Sequence, residues 1–566
     1  MVVLFWLVAL FVSQGLATVA HSAYSNSFSF AKTQSSDAIL LLKASAPKSS
    51  GDIEQVVYAA KSGTLPKDSL PASVQTAMDK LEKLPHVGSV SAPTVDAKGN
   101  VGFVNVTFDE QANAVSETEA KHFVAVARTG SSSTVAVNVT GQLAEFADGM
   151  SFSSTGLGVL LALIVLLLVF GSIYAAILPI LSALFALGTA IGIIELLSHV
   201  IGMPQFAPIL IALIGLGVGV DYALFIVTRH RQGLVAGRTP EDSIVNAVNT
   251  SGRAVLFAGI IVCIALLGMF ALGVSFLYGL AVAAAIGVLF TMIAALTFLP
   301  AMLGFIGPKV MSRKQKRYLA ENGPRIIGSD SKGFWPNWAD RVQARPAISA
   351  VGALIVIGVL IVPFFSLRLG SADQGSDPAG STTRIAYDDL AKGFGPGFAG
   401  PLEIVAKVNN QSQVATFDKA VQDISRQSDV RSPKPGAAAQ NAVHLLPSKD
   451  GGQVAVIQVY PNSSPQDKAT TDLIIHLRNV IVPRAVAGSG VTILIGGQTA
   501  IYVDFAHVLS SKLPLFIGLV VLLSFLLLAI VFRSIVIPLT GAVMNLLSIG
   551  AAFGIIVAVF QNGDND

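Results

Sequence analysis

The sequence predicts an α-helical polytopic membrane protein with two α+β extracytoplasmic domains of split βαβ type, laid out as a tandem repeat. Three observations predict it. Of 566 residues, 52% are hydrophobic and 13% charged, where a soluble domain carries about 25% charged. The apolar residues gather into segments of about 20, long enough to cross a bilayer as helices. Two polar stretches, 21–153 and 368–512, each follow an apolar segment and share a pattern of strands and helices.

Met1–Ala20 is the first apolar segment. Ala20-His-Ser-Ala23 loosely resembles a signal cleavage site, but no Lys or Arg precedes Lys32. The basic n-region of a signal peptide is missing, so the segment reads as a first transmembrane helix. In 21–153, Asp37–Ala44 reads as a strand, and Val74, Ala77, Met78 and Leu81 recur at helical spacing. Val101–Phe108 alternates as a strand, Ser116–Arg128 is a helix with a capping-box start, and Thr134–Thr140 alternates again. This matches a split βαβ unit.

Five apolar segments follow within 154–306, at roughly 156–176, 177–199, 206–228, 254–273 and 276–304. Glu195 and His199 near the end of the second read as interfacial anchors. Thr239-Pro-Glu-Asp242 starts a short helix, with Thr at the N-cap and Pro in the first turn. Arg229, Arg231, Arg238, Lys309, Arg313, Lys314, Lys316 and Arg317 fall on one side if the helices alternate. That side is the cytoplasm, and 21–153 is then outside. The basic run Arg313–Arg317 lies in a cytoplasmic loop, 307–346, and reads as a solvated, topology-setting segment. Trp335 and Trp338 flank the next span, 347–367, and suit an interfacial belt.

The second outside domain, 368–512, repeats the first. It reads as strand Glu403–Val408, helix 413–426, strand Val454–Tyr460, helix 466–480 and strand Val491–Ile495. Segments 513–532 and 536–560 come next, then a short end at 561–566. Gly141-Gln-Leu-Ala-Glu-Phe-Ala-Asp148 stands opposite Gly497-Gln-Thr-Ala-Ile-Tyr-Val-Asp504. The helices that follow end in Val169-Phe-Gly-Ser-Ile173 and Val531-Phe-Arg-Ser-Ile535. Such tandem halves are typical of secondary transporters.

Asp221 is the sole acid of its apolar run, in Gly215-Leu-Gly-Val-Gly-Val-Asp221-Tyr222. A carboxylate at membrane depth costs roughly 2.5–3.5 kcal/mol on insertion scales, which marks it as a proton-site candidate. Tyr222 adds a hydroxyl beside it, and Gly215, Gly217 and Gly219 offer a small-residue face for helix packing. The bland alternative is a carboxyl that only ties two helices together.

These residues carry a resemblance. The glycine-Asp221-Tyr222 helix, its Arg-His-Arg end, the two Gly-Gln-x-Ala stretches and the element order resemble the MMPL family of the resistance–nodulation–division (RND) superfamily. The resemblance implies ferredoxin-like porter domains in an RND-type repeat. It also implies a proton-motive-force-driven exporter of lipids or other hydrophobic compounds in the plasma membrane. Asp221 and Tyr222 map onto the family's proton relay. The matching pair on the tenth helix projects about 360 residues on, past Asp566, so the chain is expected either to be a fragment or truncated product or to be complete and not competent for coupled transport alone.

The expected partners are membrane lipids, an amphiphilic substrate, protons and, as an open option, a second copy of the chain. A net charge of +3 gives no sign of nucleic acid. No cofactor is expected, and Cys263 alone forms neither a disulfide nor a cysteine metal site. Walker, Gly-x-Ser-x-Gly and His-Glu-x-x-His motifs are absent, which argues against an enzyme. His230, among arginines, reads as a solvated face residue. The competing reading is a lipid-binding, sterol-sensing-like receptor or scaffold, which would tolerate loss of Asp221.

Overall fold

The computed structural model describes the chain apart from residues 22, 25–32, 48–49, 68, 112–114, 149–152, 205, 325–333, 371, 432–442, 449–450 and 562–566. The chain divides into two compact units. The helical unit holds Met1–Asn26, Ser151–Arg368 and Lys512–Asp566. The sheet unit holds Ser27–Met150 and Leu369–Ser511.

In chain order, α1 (Val2–Ala20) leads into a polar stretch with α2 (Gln34–Ser45), β1 (Ile53–Ala60), α3 (Ala72–Leu81) and β2 (Val87–Val90). The stretch goes on through β3 (Thr94–Val95), β4 (Val101–Phe108), α4 (Glu117–Arg128), β5 (Val135–Thr140) and α5 (Gln142–Asp148). Then come α6 (Ser153–Phe170), α7 (Ile173–Leu197), α8 (Ala207–Val235), α9 (Pro240–Ala247) and α10 (Arg253–Leu267). They are followed by α11 (Ser275–Leu296), α12 (Phe298–Ile306), α13 (Arg313–Asn322), α14 (Phe334–Ala344) and α15 (Pro346–Ile361). The second polar stretch forms α16 (Thr382–Gly393), β6 (Leu402–Val408), α17 (Gln411–Ser425) and β7 (His444–Pro447). It continues with β8 (Gln453–Val459), α18 (Lys468–His476), α19 (Val482–Val486) and β9 (Ile493–Gly496), before α20 (Gln498–Phe532) and α21 (Val536–Ile556).

Among the described residues, eight helical stretches are long and apolar enough to cross a membrane, and the Gly158–Phe170 part of α6 is apolar but shorter. These match the nine apolar segments of the sequence, with one boundary moved. Gly171 takes φ 60° and Ser172 is extended, so the break falls at 171–172 rather than at 176–177. A left-handed residue ends a helix at little cost when it is glycine.

Both sheets are antiparallel. Their orders are β2-β4-β1-β5, with β3 on β4, and β7-β8-β6-β9. Each is the split βαβ arrangement, built twice. One expected strand is a correction: residues 37–44 lie in α2, not in a strand. Ala and Leu dominate 38–42, both good helix formers, and Thr33 caps the helix by accepting from the Ser36 N–H. The true first strand is β1, whose polar Glu54 and Gln55 hid its apolar run. The α4 capping box forms as expected between Ser116 and Glu119.

The two halves of the sheet unit exchange a helix. α2 lays Ala38 and Leu42 on Val405 and Val454 of the second sheet. α16 and its C-cap Phe394 lay Ala386, Leu390 and Phe394 on Val57, Val101 and Phe103 of the first. Polar anchors accompany the exchange. The Val139 N–H donates to Thr382 Oγ1 over 3.1 Å. Ser35 Oγ donates to Asp504 over 2.6 Å, and Arg478 also donates to Asp504, at 2.5 Å. The opposite face of each sheet carries its own apolar core beneath α3 and α4, or beneath α17 and α18.

In the helical unit, α8 packs between α7 and α11. Trp6 Nε1 of α1 donates to Thr297 Oγ1 over 3.0 Å, and Gln14 Nε2 donates to the Gly188 carbonyl over 2.6 Å. α9 starts at the Thr239 cap, as the sequence predicts. The basic run Arg313–Arg317 is not an irregular loop. It opens α13, capped by Ser312 and Gln315. On α14, Trp338 is exposed and stacks on Phe334 with centroids 6.4 Å apart.

Candidate functional site: the α8 acid and a cavity between the duplicated sheets

Asp221 and Tyr222 are adjacent, so their side chains leave α8 about 100° apart. Tyr222 points into the bundle, 7% exposed, and its hydroxyl finds no partner among the described residues. Asp221 points out of it. The structure therefore does not join the two by a hydrogen bond. Asp221 sits in an outward stripe with Leu213, Gly217, Phe225 and Thr228, the i, i+4 spacing of one helix face.

The glycines divide in the same way. A Cβ on Gly219 would stand 3.1 Å from Ala183 Cβ of α7 and 3.3 Å from Thr291 Cγ2 of α11. Gly215 lies against Leu187 of α7. Gly217 meets nothing within 4 Å, so the close-packing face does not include it.

His230 is a correction. It is fully buried, and neither ring nitrogen has a partner among the described residues. The reason is that α9 folds back against the end of α8. Ser243 lies against Gly233, and its hydroxyl donates to the His230 carbonyl over 2.6 Å. Arg231 is buried too. It donates to the Phe170 carbonyl at 2.8 Å and to Gln315 Oε1 at 2.7 Å, and it lies 4.9 Å from the Phe170 ring centroid. Its charge ties three elements together rather than decorating a loop. Glu195 is half-buried in α7, while His199 is exposed just beyond it.

The sheet unit contains a cavity of about 50 Å³ where the two duplicated sheets meet. Its polar wall holds Asp52, Gln55, Thr140, Glu403 and Gln498, and its apolar wall holds Ile39, Leu42 and Ile501. Among the described residues, no Lys, Arg or His lines it. The wall follows from strand alternation. Glu54, Val56 and Tyr58 turn toward the helices of the first half, and Gln55 turns the other way. Ile404 and Ala406 do the same in the second half, leaving Glu403 on the cavity side.

Burial, and secondarily Asp52, pushes the Glu403 carboxyl up to about 7. Glu54, on the other face, accepts from the Leu143 and Ala144 N–H groups at 2.8 and 3.1 Å. Burial outweighs those donors and pushes it up to about 8. Sequence reading missed the cavity residues. The only signal was Gln498, inside the repeated Gly-Gln-x-Ala stretch. Among the described residues, no group of three or more His, Cys, Asp or Glu side chains is placed to hold a metal ion.

Comparison with known proteins adds four findings. A sequence profile described as the MMPL family matches residues 27–349 and 380–565. The chain is 30% identical to the membrane protein YdfJ of Bacillus subtilis over 567 aligned residues, which cover 99% of this chain and 75% of that one. It is 31% identical to the mycolic acid-containing lipids exporter MmpL11 of Mycolicibacterium smegmatis. It is 28% identical to the trehalose monomycolate exporter MmpL3 of Mycobacterium tuberculosis. Each of these two matches covers 71% of this chain, but only 41% and 44% of the exporter's length.

Proposed function

This chain belongs to the MMPL family, and from that premise we propose that it serves proton-driven export of lipids or other hydrophobic compounds. It is a multi-pass membrane protein. Two relatives are named as exporters of lipids, which supports the cargo class.

The observation that carries the proton part is Asp221, a carboxylate on the outward face of an apolar helix without a hydrogen-bond partner among the described residues. Its charged form needs water or protein against that face, because acyl chains solvate it poorly. Binding a proton removes that need. Protonation therefore changes which surroundings the α8 face prefers, and a two-state helix bundle can be biased by that difference. One charge crossing 100 mV supplies about 2.3 kcal/mol, enough to tilt such an equilibrium. Tyr222 then acts from inside the bundle, positioning α8 rather than sharing the proton directly.

The test is Asp221→Asn, followed by lipid efflux from cells under a membrane potential. The variant is expected to insert normally and to lose uncoupler-sensitive export. Export at the wild-type rate by a well-inserted Asn variant would sink the proposal.

A further inference from the structure

The export reading leaves the cargo open, and the cavity narrows it. The inference therefore rests on that reading. Gln55 pairs with Thr140 across the β1–β5 ladder, and Glu403 pairs with Gly496 across β6–β9. Gly141 and Gly497 follow those partners and begin the repeated Gly-Gln-x-Ala stretches. Gln55 and Glu403 thus hold the same place in the two halves. Duplication built a cavity with matching walls, and the sequence then put an amide on one and a carboxylate on the other.

Three features of the walls bear on what fits. The Glu403 carboxylate has no hydrogen bond or ion pair among the described residues, so its charge has no protein counter-ion. Thr140 is 2% exposed, and its hydroxyl has no partner among the described residues. Gln55 donates its amide to Asn105 at 3.3 Å, which leaves its carbonyl oxygen to accept. The polar wall is therefore rich in acceptors and lacks any cation. A buried hydroxyl such as that of Thr140 normally finds a partner, and the half-buried Glu403 carboxylate beside it lacks one as well. The opposite wall is aliphatic. A cavity of about 50 Å³ is large enough for a small charged head with a water or two. It is too small for a sugar head group.

We infer that this cavity takes the ammonium end of a cationic amphiphile, with Glu403 as its counter-ion. Thr140 and Gln55 accept its remaining N–H groups, and Ile39, Leu42 and Ile501 lie along its first methylenes. The titratable groups on the lining are Asp52 on the β1 side and Glu403 on the β6 side. The lining residues of α2 and α20 add none. Because the Glu403 carboxyl is held near 7, binding strengthens as pH rises through neutrality.

The test uses the full chain in uncharged lipid nanodiscs, with octylammonium as probe and octanol as its uncharged control. Wild type is expected to bind octylammonium and to gain thermal stability from it. Octanol should do neither. Glu403→Gln should weaken octylammonium binding roughly thirtyfold or more, while its ligand-free unfolding midpoint stays at or above that of wild type. Thr140→Val should weaken it about fivefold. Equal octylammonium affinity in wild type and Glu403→Gln, or equal binding of octanol, overturns the inference. Asp221→Asn should leave octylammonium binding intact. A chain that exports another hydrophobic compound through Asp221 but ignores octylammonium removes this inference and spares the export reading.

Discussion

Gly171 and Arg533 occupy the same turn in the two halves of the chain, both left-handed, with φ of 60° and 48°. Each follows the end of a repeated helix and precedes Ser-Ile. Glycine meets no Cβ penalty in that conformation, whereas arginine does, by about 1–2 kcal/mol. The exposed Arg533 side chain makes no hydrogen bond or ion pair among the described residues to offset it.

Arg533→Gly is therefore expected to stabilise the helical unit by about 1 kcal/mol. Chemical unfolding of the full chain in detergent measures it. A loss of stability would mean that the arginine has a compensating contact.

The sheet unit should be more stable in mild acid than in mild base. Glu54 is pushed from 4.5 up to about 8, and Glu403 from 4.5 up to about 7. Burial is the largest cause for both. A raised carboxyl holds its proton in the folded state after the unfolded chain has lost it. Its contribution is complete below pH 4.5 and is lost as pH rises through 7 and then 8. The unfolding midpoint should fall between pH 5 and pH 8, and Glu54→Gln should flatten the upper part of that fall. A midpoint that climbs across this range contradicts the assignment.

Asp504→Ala should be among the most damaging single changes in the sheet unit. Arg478 and Asp504 are each 11% exposed at the side chain, with N–O contact at 2.5 Å. Removing the acid leaves a buried guanidinium without its partner, at a cost of about 3–5 kcal/mol. Replacing both residues with apolar ones should recover much of that. A double-mutant cycle by thermal unfolding reads the difference, and additive single effects would count against the pair.

Gly219→Leu and Gly217→Leu should behave oppositely although two residues apart. At Gly219 the added side chain drives into Ala183 and Thr291, costing about 1–3 kcal/mol. At Gly217 it enters open space, with an effect within about 0.5 kcal/mol. Similar melting of the two variants would show that the stripe facing away from α7 and α11 is packed after all.

Composition and period made the membrane spans readable, because a run of twenty apolar residues has few other uses. The repeat was readable from Gly141 and Gly497 and the residues after them. Residues 37–44 were misread because a short apolar run fits a strand or a helix until a cap decides it, and Thr33 is that cap. Asp221 stood out as a lone acid, but nothing in one dimension says which way it points. His230 was misjudged because its burial depends on α9 returning from a loop. Gln55 and Glu403 lie about 350 residues apart and meet only through the fold.

The traded helices also set a timetable for the ribosome. The first sheet stays bare on one side until α16 has been made, 243 residues after the strand position it bonds to. Ser35 waits longer still, since Asp504 lies 469 residues downstream. Neither lobe can mature while the chain is half written, and a gene split between the two copies would yield two pieces that each lack a wall.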